Sequence, residues 1–529
     1  MQKRSPLSLE SICDEMFDDL ARTFPVACAS DEFYYFPQVR ASEHDWRTWD
    51  CFSEEMIKEV SQRLTGWEGD LDRIKQDPAD LNSLIDAALL QKVARTLREQ
   101  LIEVRVWQSQ PTFYLTLCCI GLAEAMTAED PEAKHLRAGD VSGFLDEAAG
   151  NLKRVPLLFR DAGLEMISDT RGYLAVLAEK IPEIGPVFDA LDRFREALLS
   201  VSTREDFLLP RDLLEHIFRY HISCGMEIKE INDLLDQEIQ EMGAVLNREA
   251  GCLDANLSPK GQNFSRLWPR VLENIPLPDR GHGGMVERYR DEVKRLADHC
   301  VEQVWISPEH VFSCPAHVAP MPAFLSAIRA ASSYSIPPGH PPYGGVFYIL
   351  QNFDMTGENN REYRMLSAHE TYPGHHLLDT SRWSHERRCR REVEQPIFYE
   401  GWACFAEELL RQTGYFKGPG DRFLLAKRRL WRALRGKVDI ALQTGVMDIQ
   451  GAAKYLNESG IGKDRAAASA RRYPLNPGYQ QCYTIGLRTF LKLFDGYGRE
   501  NVRDFVHVVL NQGEIDFENL EKVLKTADS

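Results

Sequence analysis

The chain of 529 residues has no long apolar run. Its most apolar segment, 113–122, is shorter than the roughly 20 residues that a membrane-spanning helix needs, and it is typical of a buried helix instead. The N-terminal segment 1–24 lacks the continuous apolar core of a secretion signal, because its apolar residues are spaced as on one face of an amphipathic helix. These absences predict a protein that neither spans a membrane nor is exported.

Paired cysteines are also missing. Twelve cysteines are scattered along the chain without Cys-x-x-Cys spacing. This pattern predicts reduced thiols in a protein core and excludes a disulfide framework or a thiolate zinc site. Together with the N-terminal segment, it predicts a cytoplasmic location.

Positive charge is in the minority, with 63 Lys and Arg against 80 Asp and Glu, so the formal net charge is −17. Such an acidic balance opposes binding to nucleic acid or to an anionic membrane, and we expect neither as a partner. The one basic cluster, at 387–391, is most simply the solvated end of a helix or the loop after it.

Strand patterns are scarce, and the dominant period of the apolar residues is helical. Helices are predicted near 8–24, 52–65, 84–106, 113–127, 141–163, 184–200, 208–222, 226–248, 284–304, 321–331, 361–378, 396–413, 421–444, 478–496 and 515–526. One credible strand spans 345–353, and a small hairpin at this place is an equally good interpretation. The Pro- and Gly-rich run 275–284 predicts a boundary between two halves, 1–274 and 275–529.

The most informative segment, 367–376, reads SAHETYPGHH. In the ordinary zinc-peptidase motif His-Glu-x-x-His, two histidines four residues apart share a helix face, so both reach one ion. Here the position of the second histidine is taken by Pro373, which kinks or ends a helix, and Gly374 frees the backbone to change direction. The segment therefore predicts a helix with a bent turn.

The bent turn decides which histidine joins His369 at a metal ion. In an unbroken helix His375 would point about 120° away from His369, whereas His376 would share its face about 10 Å further along the axis. A two-residue distortion at 373–374 would return His375 to the ion. We favour His375 as the ligand, with His376 left to support a ligand or to contact the substrate, although the spacing by itself does not choose between them.

Two glutamates complete the predicted centre. Glu370 adjoins His369, so it cannot easily bind the same ion, but it is placed to take a proton from water at the metal and is the candidate general base. A third ligand is expected from another helix, and we assign it to Glu400. Two histidines, a glutamate and an open fourth position are the ligand set of catalytic zinc.

The helix that carries Glu400 is predicted at 396–413, with Pro396 near its first position and Gly414 as its stop signal. Glu407 lies two turns further along and shares a face with Glu400. It is therefore a candidate to orient a histidine ligand by hydrogen bonding.

Three blocks in order give the chain a resemblance to a known family. They are HExxPGHH at 369–376, EGWA at 400–403 with Glu407, and RY at 472–473 followed by PG at 477–478 and YTIG at 483–486. The chain resembles the bacterial domain-of-unknown-function family 885, which is distantly similar to the gluzincin metallopeptidases. The likeness covers most of the chain, and in gluzincins a Gly-His pair supplies the second ligand and a downstream glutamate the third. The resemblance thus implies His369, His375 and Glu400.

The same resemblance implies roles in the third block. Tyr483 is the candidate electrophilic helper, since a phenol aimed at the developing oxyanion stabilises the tetrahedral intermediate. Arg472, with Tyr473 beside it, is the candidate for holding a substrate carboxylate by a two-pronged hydrogen bond. The family usually reads Pro-Gly-Gln-Ala here, so Tyr479 replaces a glutamine and alters the expected substrate contacts.

The expected fold is mainly α and gluzincin-like: a large, two-lobed helical protein with a central cleft and a small strand or hairpin beside the metal-site helix. The expected function is zinc-dependent hydrolysis of peptide or small amide substrates by a carboxypeptidase or small oligopeptidase. A hydrolase or lyase of a specialised small metabolite is the alternative. Non-heme iron chemistry, which also uses two histidines and a carboxylate, and a non-catalytic helical protein are less favoured.

Overall fold

The computed structural model describes residues 8–39, 45–76, 78–127, 130–222, 225–254, 264–276, 284–329, 331–336, 344–350 and 361–527. Helices dominate these residues, and the few strands are two to four residues long, which confirms the mainly α prediction. In this described part of the chain, no helix combines the length and the apolar character needed to cross a membrane.

The chain forms two compact units. The first comprises Met1–Phe207, Met321–Pro342 and Arg382–Glu394, and the second comprises Leu208–Pro320, Tyr343–Ser381 and Gln395–Ser529. Each unit is therefore built from separate stretches of sequence. The predicted halves 1–274 and 275–529 were defined as lobes of one cooperative protein. This division stays a prediction, and so does the cleft.

The first unit is a helical assembly. Its α-helices are Leu9–Thr23, Pro25–Ala29, Glu54–Gln76, Leu81–Arg98, Val106–Ser109, Pro111–Ala125, Pro131–Asn151, Leu157–Ala178, Val187–Ser200, Ala323–Ser326 and Arg388–Arg391. A π-helical stretch, Glu99–Val104, extends the fourth of these. The strands Val155–Pro156 and Thr203–Arg204 pair in parallel, and Ser333–Ser335 is a further short strand.

Aromatic rings fill the core of the first unit. Phe52 lies at ring distances of 5.0 Å from both Phe24 and Phe113. A buried ion pair between Arg137 and Glu124, 3.1 Å apart, lies within the same core. Because a charge buried without a partner is costly, the pair is accommodated only by mutual compensation.

The second unit contains the predicted metal-binding residues. Its α-helices are Arg211–His216, Ile228–Leu253, Phe264–Glu273, Met285–Glu302, Pro308–Ser313, Tyr363–Glu370, His375–Trp383, Pro396–Gln412, Pro419–Gln443, Ile449–Glu458, Lys463–Arg472, Cys482–Tyr497, Val502–Leu510 and Phe517–Ala527. The strands His317–Pro320 and Val346–Ile349 pair in parallel. Five of these helices are named below by a residue or feature that they carry.

The His369 helix, Tyr363–Glu370, and the His375 helix, His375–Trp383, are the two halves of the predicted helix 361–378. Thr371–Gly374 separates them, with the Tyr372–Pro373 peptide in the cis form. A Cβ atom at Gly374 would collide with the carbonyl oxygens of Ala368 and His369, so only glycine permits this close return of the chain. The predicted bent turn is confirmed.

The Glu400 helix, Pro396–Gln412, begins with its proline and is followed by Gly414 at a φ of 80°, as predicted. The indole N–H of Trp402 on this helix donates to the carbonyl oxygen of Pro373 at 2.8 Å. Since both groups are buried, this bond fixes the bent turn against the Glu400 helix.

The Tyr483 helix, Cys482–Tyr497, crosses the Glu400 helix at two glycines. A Cβ atom at Gly401 would lie 2.6 Å from the Cα atom of Gly486, and a Cβ atom at Gly486 would collide with the carbonyl oxygen of Ile397. The two backbones therefore touch at this crossing. Glu400 directly precedes Gly401, and Tyr483 lies three residues before Gly486, so the crossing brings Glu400 and Tyr483 close together.

The arginine helix, Pro419–Gln443, packs along the helix Ile228–Leu253. The side chain of Leu235 fills the space beside Gly436, and Glu238 accepts from Arg429 at 2.7 Å. Burial of one face of each helix and this internal ion pair hold the arginine helix in place.

Several expectations about secondary structure are wrong. The predicted helix 141–163 is two helices, because Arg154 adopts a positive φ of 51° and Pro156 lacks an N–H. The strand is confirmed at Val346–Ile349, where it pairs in parallel with His317–Pro320. The hairpin stays a prediction. Residues 351–353 of the predicted strand and most of the run 275–284 lie outside the described residues. The helix Lys463–Arg472 was not predicted, since it has few apolar residues to reveal a period.

Replacement of Gly486 by alanine tests the helix crossing. The added methyl has no space between the two backbones, so we expect destabilisation of about 1–3 kcal/mol and a lower midpoint of thermal unfolding by circular dichroism. The matched control is Gly496→Ala on the same helix, where a Cβ atom meets nothing within 4 Å. Equal midpoints for Gly486→Ala and the control would contradict the close crossing.

Candidate metal centre

Three ligand atoms converge between the His369, His375 and Glu400 helices. The Nε2 atom of His369 lies 3.4 Å from Oε2 of Glu400, and Nε2 of His375 lies 3.5 Å from the same oxygen. All three side chains are buried, and their ligand atoms lie within 4.8 Å of one another. Among the described residues, no other group of three or more His, Cys, Asp or Glu side chains converges in this way.

The spacing of these atoms fits a divalent cation. Two ligands at about 2.0–2.1 Å from a tetrahedral zinc ion are themselves about 3.3–3.4 Å apart. Within the described chain, the buried Oε2 atom of Glu400 has no hydrogen-bond partner, and neither has Nδ1 of His375. An unsatisfied buried carboxylate oxygen that faces two imidazole nitrogens is costly unless a cation lies between them.

The far side of His369 is held by Glu407. Its Nδ1 atom lies 3.2 Å from Oε1 of Glu407, while Nε2 faces Glu400. Arg432 donates to both oxygens of Glu407, one of them at 2.6 Å, and its Nη2 atom also lies 3.1 Å from Nδ1 of His369. The tautomer with its proton on Nδ1 donates to Glu407 and leaves the Nε2 lone pair directed at the ligand group.

Glu407 is ionised because of its neighbours. Burial raises the pKa of this carboxyl, but the Arg428 and Arg432 guanidinium groups outweigh burial and hold the pKa well below its ordinary value. Arg428 donates to Glu407 at 2.9 Å. The hydrogen-bond acceptor behind His369 is thus an ionised carboxylate.

The ring of His375 is held by stacking. Tyr399 packs on it at a centroid distance of 3.9 Å with the planes 20° apart, and the phenol of Tyr399 donates to Asp379 at 3.3 Å. Tyr399 immediately precedes Glu400 in the chain. One turn of helix therefore supplies both a candidate ligand and the surface that orients another.

His376 does not join the group. Its Nε2 atom donates to the carbonyl oxygen of Cys314 at 2.9 Å and lies 3.1 Å from the phenol oxygen of Tyr372. Burial lowers the pKa of His376 to about 3, so the ring is neutral. The structure brings His375, and not His376, to His369 and Glu400.

Tyr483 lies beside the group, with its ring centroid 6.5 Å from that of His369. Burial and the Glu400 carboxylate raise the pKa of its phenol well above the ordinary value, although Arg435 acts in the opposite direction. The phenol therefore keeps its proton and is able to donate a hydrogen bond.

Tyr479 contacts the centre directly: its phenol donates to Oε1 of Glu400 at 2.8 Å. The loop that carries it is tied to the arginine helix, because Oδ2 of Asp439 accepts from the backbone N–H groups of Gly478 at 3.0 Å and Gln480 at 3.2 Å. The tyrosine that replaces the usual glutamine of the family thus holds the second oxygen of the candidate ligand.

The remaining predicted residues have simpler surroundings. Glu370 is the last residue of the His369 helix and is 8% exposed. Tyr473 is buried, whereas Arg472 is exposed at the end of the helix Lys463–Arg472. The role of Arg472 in holding a substrate carboxylate stays a prediction.

Sequence reasoning missed Tyr399, Arg428, Arg432 and Asp439. A signal for the arginines was present, because 427–435 reads KRRLWRALR and places Arg428, Arg432 and Arg435 along one helix face. A row of cations on a helix that is otherwise apolar indicates buried carboxylates opposite it.

Comparison with protein families gives one match, which spans residues 40–524 and is described as a bacterial protein of unknown function, DUF885. The chain belongs to this family. The match covers the whole ligand group, together with the loop that carries Tyr479 and the Tyr483 helix. No similar sequence is found among curated proteins.

Solved structures share the fold. A protein of Shewanella oneidensis, provisionally described as a lipoprotein of unknown function, has 15% identity and a TM-score of 0.75 over 98% of this chain and 100% of its own. A protein of Colwellia psychrerythraea, also provisionally described as a lipoprotein, has 16% identity and a TM-score of 0.78 over 98% of each chain. A Pyrococcus furiosus carboxypeptidase reaches a TM-score of only 0.33 at 12% identity, over 90% of this chain and 99% of its own, and carries no argument.

The lipoprotein descriptions of the first two structures contradict the predicted cytoplasmic location. That prediction depended largely on unpaired cysteines. The cysteines in the described residues are indeed free, and most are buried. A buried thiol is shielded from oxidants in any compartment, so its reduced state does not report the location of the protein.

Replacement of Asp439 by asparagine tests the anchor of the Tyr479 loop. Burial raises the pKa of Asp439 to about 8, far above its value of 3.8 in an unfolded chain. Protonation therefore favours the folded state, and this stabilisation is lost as the pH rises from about 4 through 8. Asparagine mimics the protonated form, so the thermal midpoint of the variant is expected to fall less between pH 5 and pH 8 than that of the wild type. Parallel curves for the two proteins would contradict the shift.

Proposed function

We propose that the protein is a zinc-dependent hydrolase that cleaves peptide or peptide-like amide bonds, as a carboxypeptidase or small oligopeptidase. The observation that carries the proposal is the buried convergence of His369, His375 and Glu400. Two imidazoles and one carboxylate, with a position left open, form the donor set of catalytic zinc rather than of structural zinc.

His369, His375 and Glu400 would hold the ion through Nε2, Nε2 and Oε2, the three atoms that face one another. Bound zinc supplies Lewis acidity, which polarises the scissile carbonyl and makes the attacking water more acidic. Tyr479 donates to the other oxygen of Glu400, so this carboxylate would hold the ion through Oε2 alone.

Glu370 is the proposed general base. It accepts a proton from the attacking water as the new C–O bond forms, and it delivers that proton to the amine nitrogen as the C–N bond breaks. Two observations support this role: Glu370 directly follows the candidate ligand His369 in the chain, and its side chain is buried. Tyr483 donates a hydrogen bond to the carbonyl oxygen, on which negative charge develops during attack.

The direct test measures zinc and turnover together. Protein prepared without chelator is expected to contain one zinc ion per chain, His369→Ala and His375→Ala are expected to lose it, and His376→Ala is expected to retain it. Glu370→Gln is expected to keep the zinc but to lose about 10²-fold or more in kcat on a peptide that the wild type cleaves. Elemental analysis and single-substrate kinetics give the two readouts.

Two results would contradict the proposal. Wild-type turnover by the Glu370→Gln variant would show that Glu370 is not the general base. Iron in place of zinc, with turnover that requires oxygen, replaces hydrolysis by oxidative chemistry. If the protein cleaves simple amides in preference to every member of a peptide library, the result favours a small metabolite as its substrate.

A second prediction concerns Glu407. Its replacement by glutamine weakens the hydrogen bond that orients His369, so the affinity for zinc is expected to fall about 10- to 100-fold in competition with a chelator. The matched control is Glu408→Gln on the same helix. Glu408 is also buried and is paired with Arg411 and Arg429, but in these contacts it touches no candidate ligand. A loss of affinity of the same size in both variants would assign the effect to general destabilisation.

A further inference from the structure

The arginine helix carries five arginines. Four of them are paired with buried carboxylates: Arg422 with Glu249, Arg428 with Glu407 and Glu362, Arg429 with Glu238 and Glu408, and Arg432 with Glu407. The fifth, Arg435, has no carboxylate within ion-pair distance in the described part of the chain. A partly buried cation is costly without an anion, so this difference calls for a partner.

The described contacts of Arg435 are with uncharged side chains, and they include a hydrogen bond with the side chain of Tyr483. Its Nε atom donates to the side-chain oxygen of Gln480 at 2.9 Å, and its guanidinium carbon lies 4.2 Å from the ring centroid of Tyr483. The same group lies 5.8 Å from the ring of Trp431. A guanidinium has five N–H donors in a planar fork, and the hydrogen bonds with Gln480 and Tyr483 do not use all of them.

The position of Arg435 relates it to the candidate centre. Arg435 stacks on the ring of Tyr483, whose phenol we propose as the donor to the carbonyl oxygen of the substrate. Its other partner, Gln480, immediately follows Tyr479, which contacts Glu400. Burial lowers the pKa of Arg435, while Tyr483 and Glu400, among others, raise it, with a net rise. The guanidinium therefore stays charged at every relevant pH. A substrate group beside the carbonyl oxygen that Tyr483 contacts would therefore lie near this cation.

We propose that Arg435 determines specificity by binding a carboxylate of the substrate that lies next to the scissile bond. The inference rests on the proposed hydrolase function and gives it a substrate class, peptides with a free carboxylate on the leaving side. Arg435 thereby takes the role that the sequence suggested for Arg472. The carboxylate comes either from the chain terminus or from an acidic side chain, and the two sources are distinguishable.

Three probes separate the sources: N-acetyl-Ala-Phe with a free terminus, its C-terminal amide, and N-acetyl-Ala-Glu amide. Wild-type protein loaded with zinc is expected to prefer the first or the third over the second. Arg435→Gln is expected to raise KM for the preferred probe about 10- to 100-fold, with a much smaller change in kcat and in the cleavage of the uncharged amide. Arg435→Lys keeps the charge but loses the planar fork, so an intermediate KM is expected.

The matched control is Arg465→Gln. Arg465 also lies over the ring of Trp431, at 5.1 Å, but it is exposed and lies on the helix Lys463–Arg472. Its replacement is expected to leave KM for all three probes unchanged. Zinc content and the thermal midpoint are measured for every variant, and Arg435→Lys carries the test if Arg435→Gln does not fold.

A binding experiment gives a readout that needs no turnover. Titration calorimetry with 3-phenylpropanoate and with 3-phenylpropanamide, on chelator-treated protein, reports recognition of the carboxylate without zinc. The acid is expected to bind the wild type more tightly than the amide does, and Arg435→Gln is expected to abolish this difference.

The outcomes distinguish the two proposals. If the protein binds no zinc and cleaves none of the probes, the proposed hydrolase function fails. The calorimetric comparison of acid and amide still tests the role of Arg435 in that case. Zinc-dependent cleavage with equal KM values in wild type and Arg435→Gln overturns the inference alone. An equal fall in kcat on all three probes also overturns it, since that result assigns Arg435 to the support of Tyr483.

Discussion

The candidate centre depends on the return of the chain at Gly374. A continuous helix would send His375 away from His369, because six residues correspond to about one and two-thirds turns. At Gly374 the backbone passes so close to the carbonyl oxygens of Ala368 and His369 that a side chain has no space. Trp402 then fixes the turn through the carbonyl oxygen of Pro373. The two histidines meet because a helix is interrupted, and the interruption is held from the neighbouring helix.

Charge compensation is the second constraint. The Glu400 helix buries three glutamates, Glu400, Glu407 and Glu408. Glu407 and Glu408 are neutralised by arginines of one neighbouring helix, whereas Glu400 is met by two imidazoles and a phenol. The compensating groups therefore differ. Carboxylates that support the fold are paired with arginines, whereas the carboxylate at the candidate ion site is surrounded by imidazoles, which offer lone pairs, and by one phenol donor.

Glycine gives this arrangement its compactness. Gly401 and Gly486 let the Glu400 and Tyr483 helices touch. Gly401 directly follows Glu400, and Gly486 lies three residues after Tyr483. The EGWA and YTIG blocks are thus parts of one contact, although 79 residues lie between them in the chain. The solved structures of Shewanella oneidensis and Colwellia psychrerythraea share the fold at 15% and 16% identity. Packing of this kind tolerates wide changes elsewhere, because most helix faces need only apolar character.

The sequence by itself determined the mainly α class, the bent turn at 373–374, the strand at 346–349 and the residue types from which a metal centre is built. These features are local, since a proline, a glycine or an apolar period acts through its nearest neighbours in the chain. Only the tertiary structure decided that His376 turns to Cys314, that Tyr479 holds Glu400 and that Arg435 is left without a carboxylate among the described residues. Such choices depend on which distant side chains share a buried space, and the spacing of residues along one chain does not encode them.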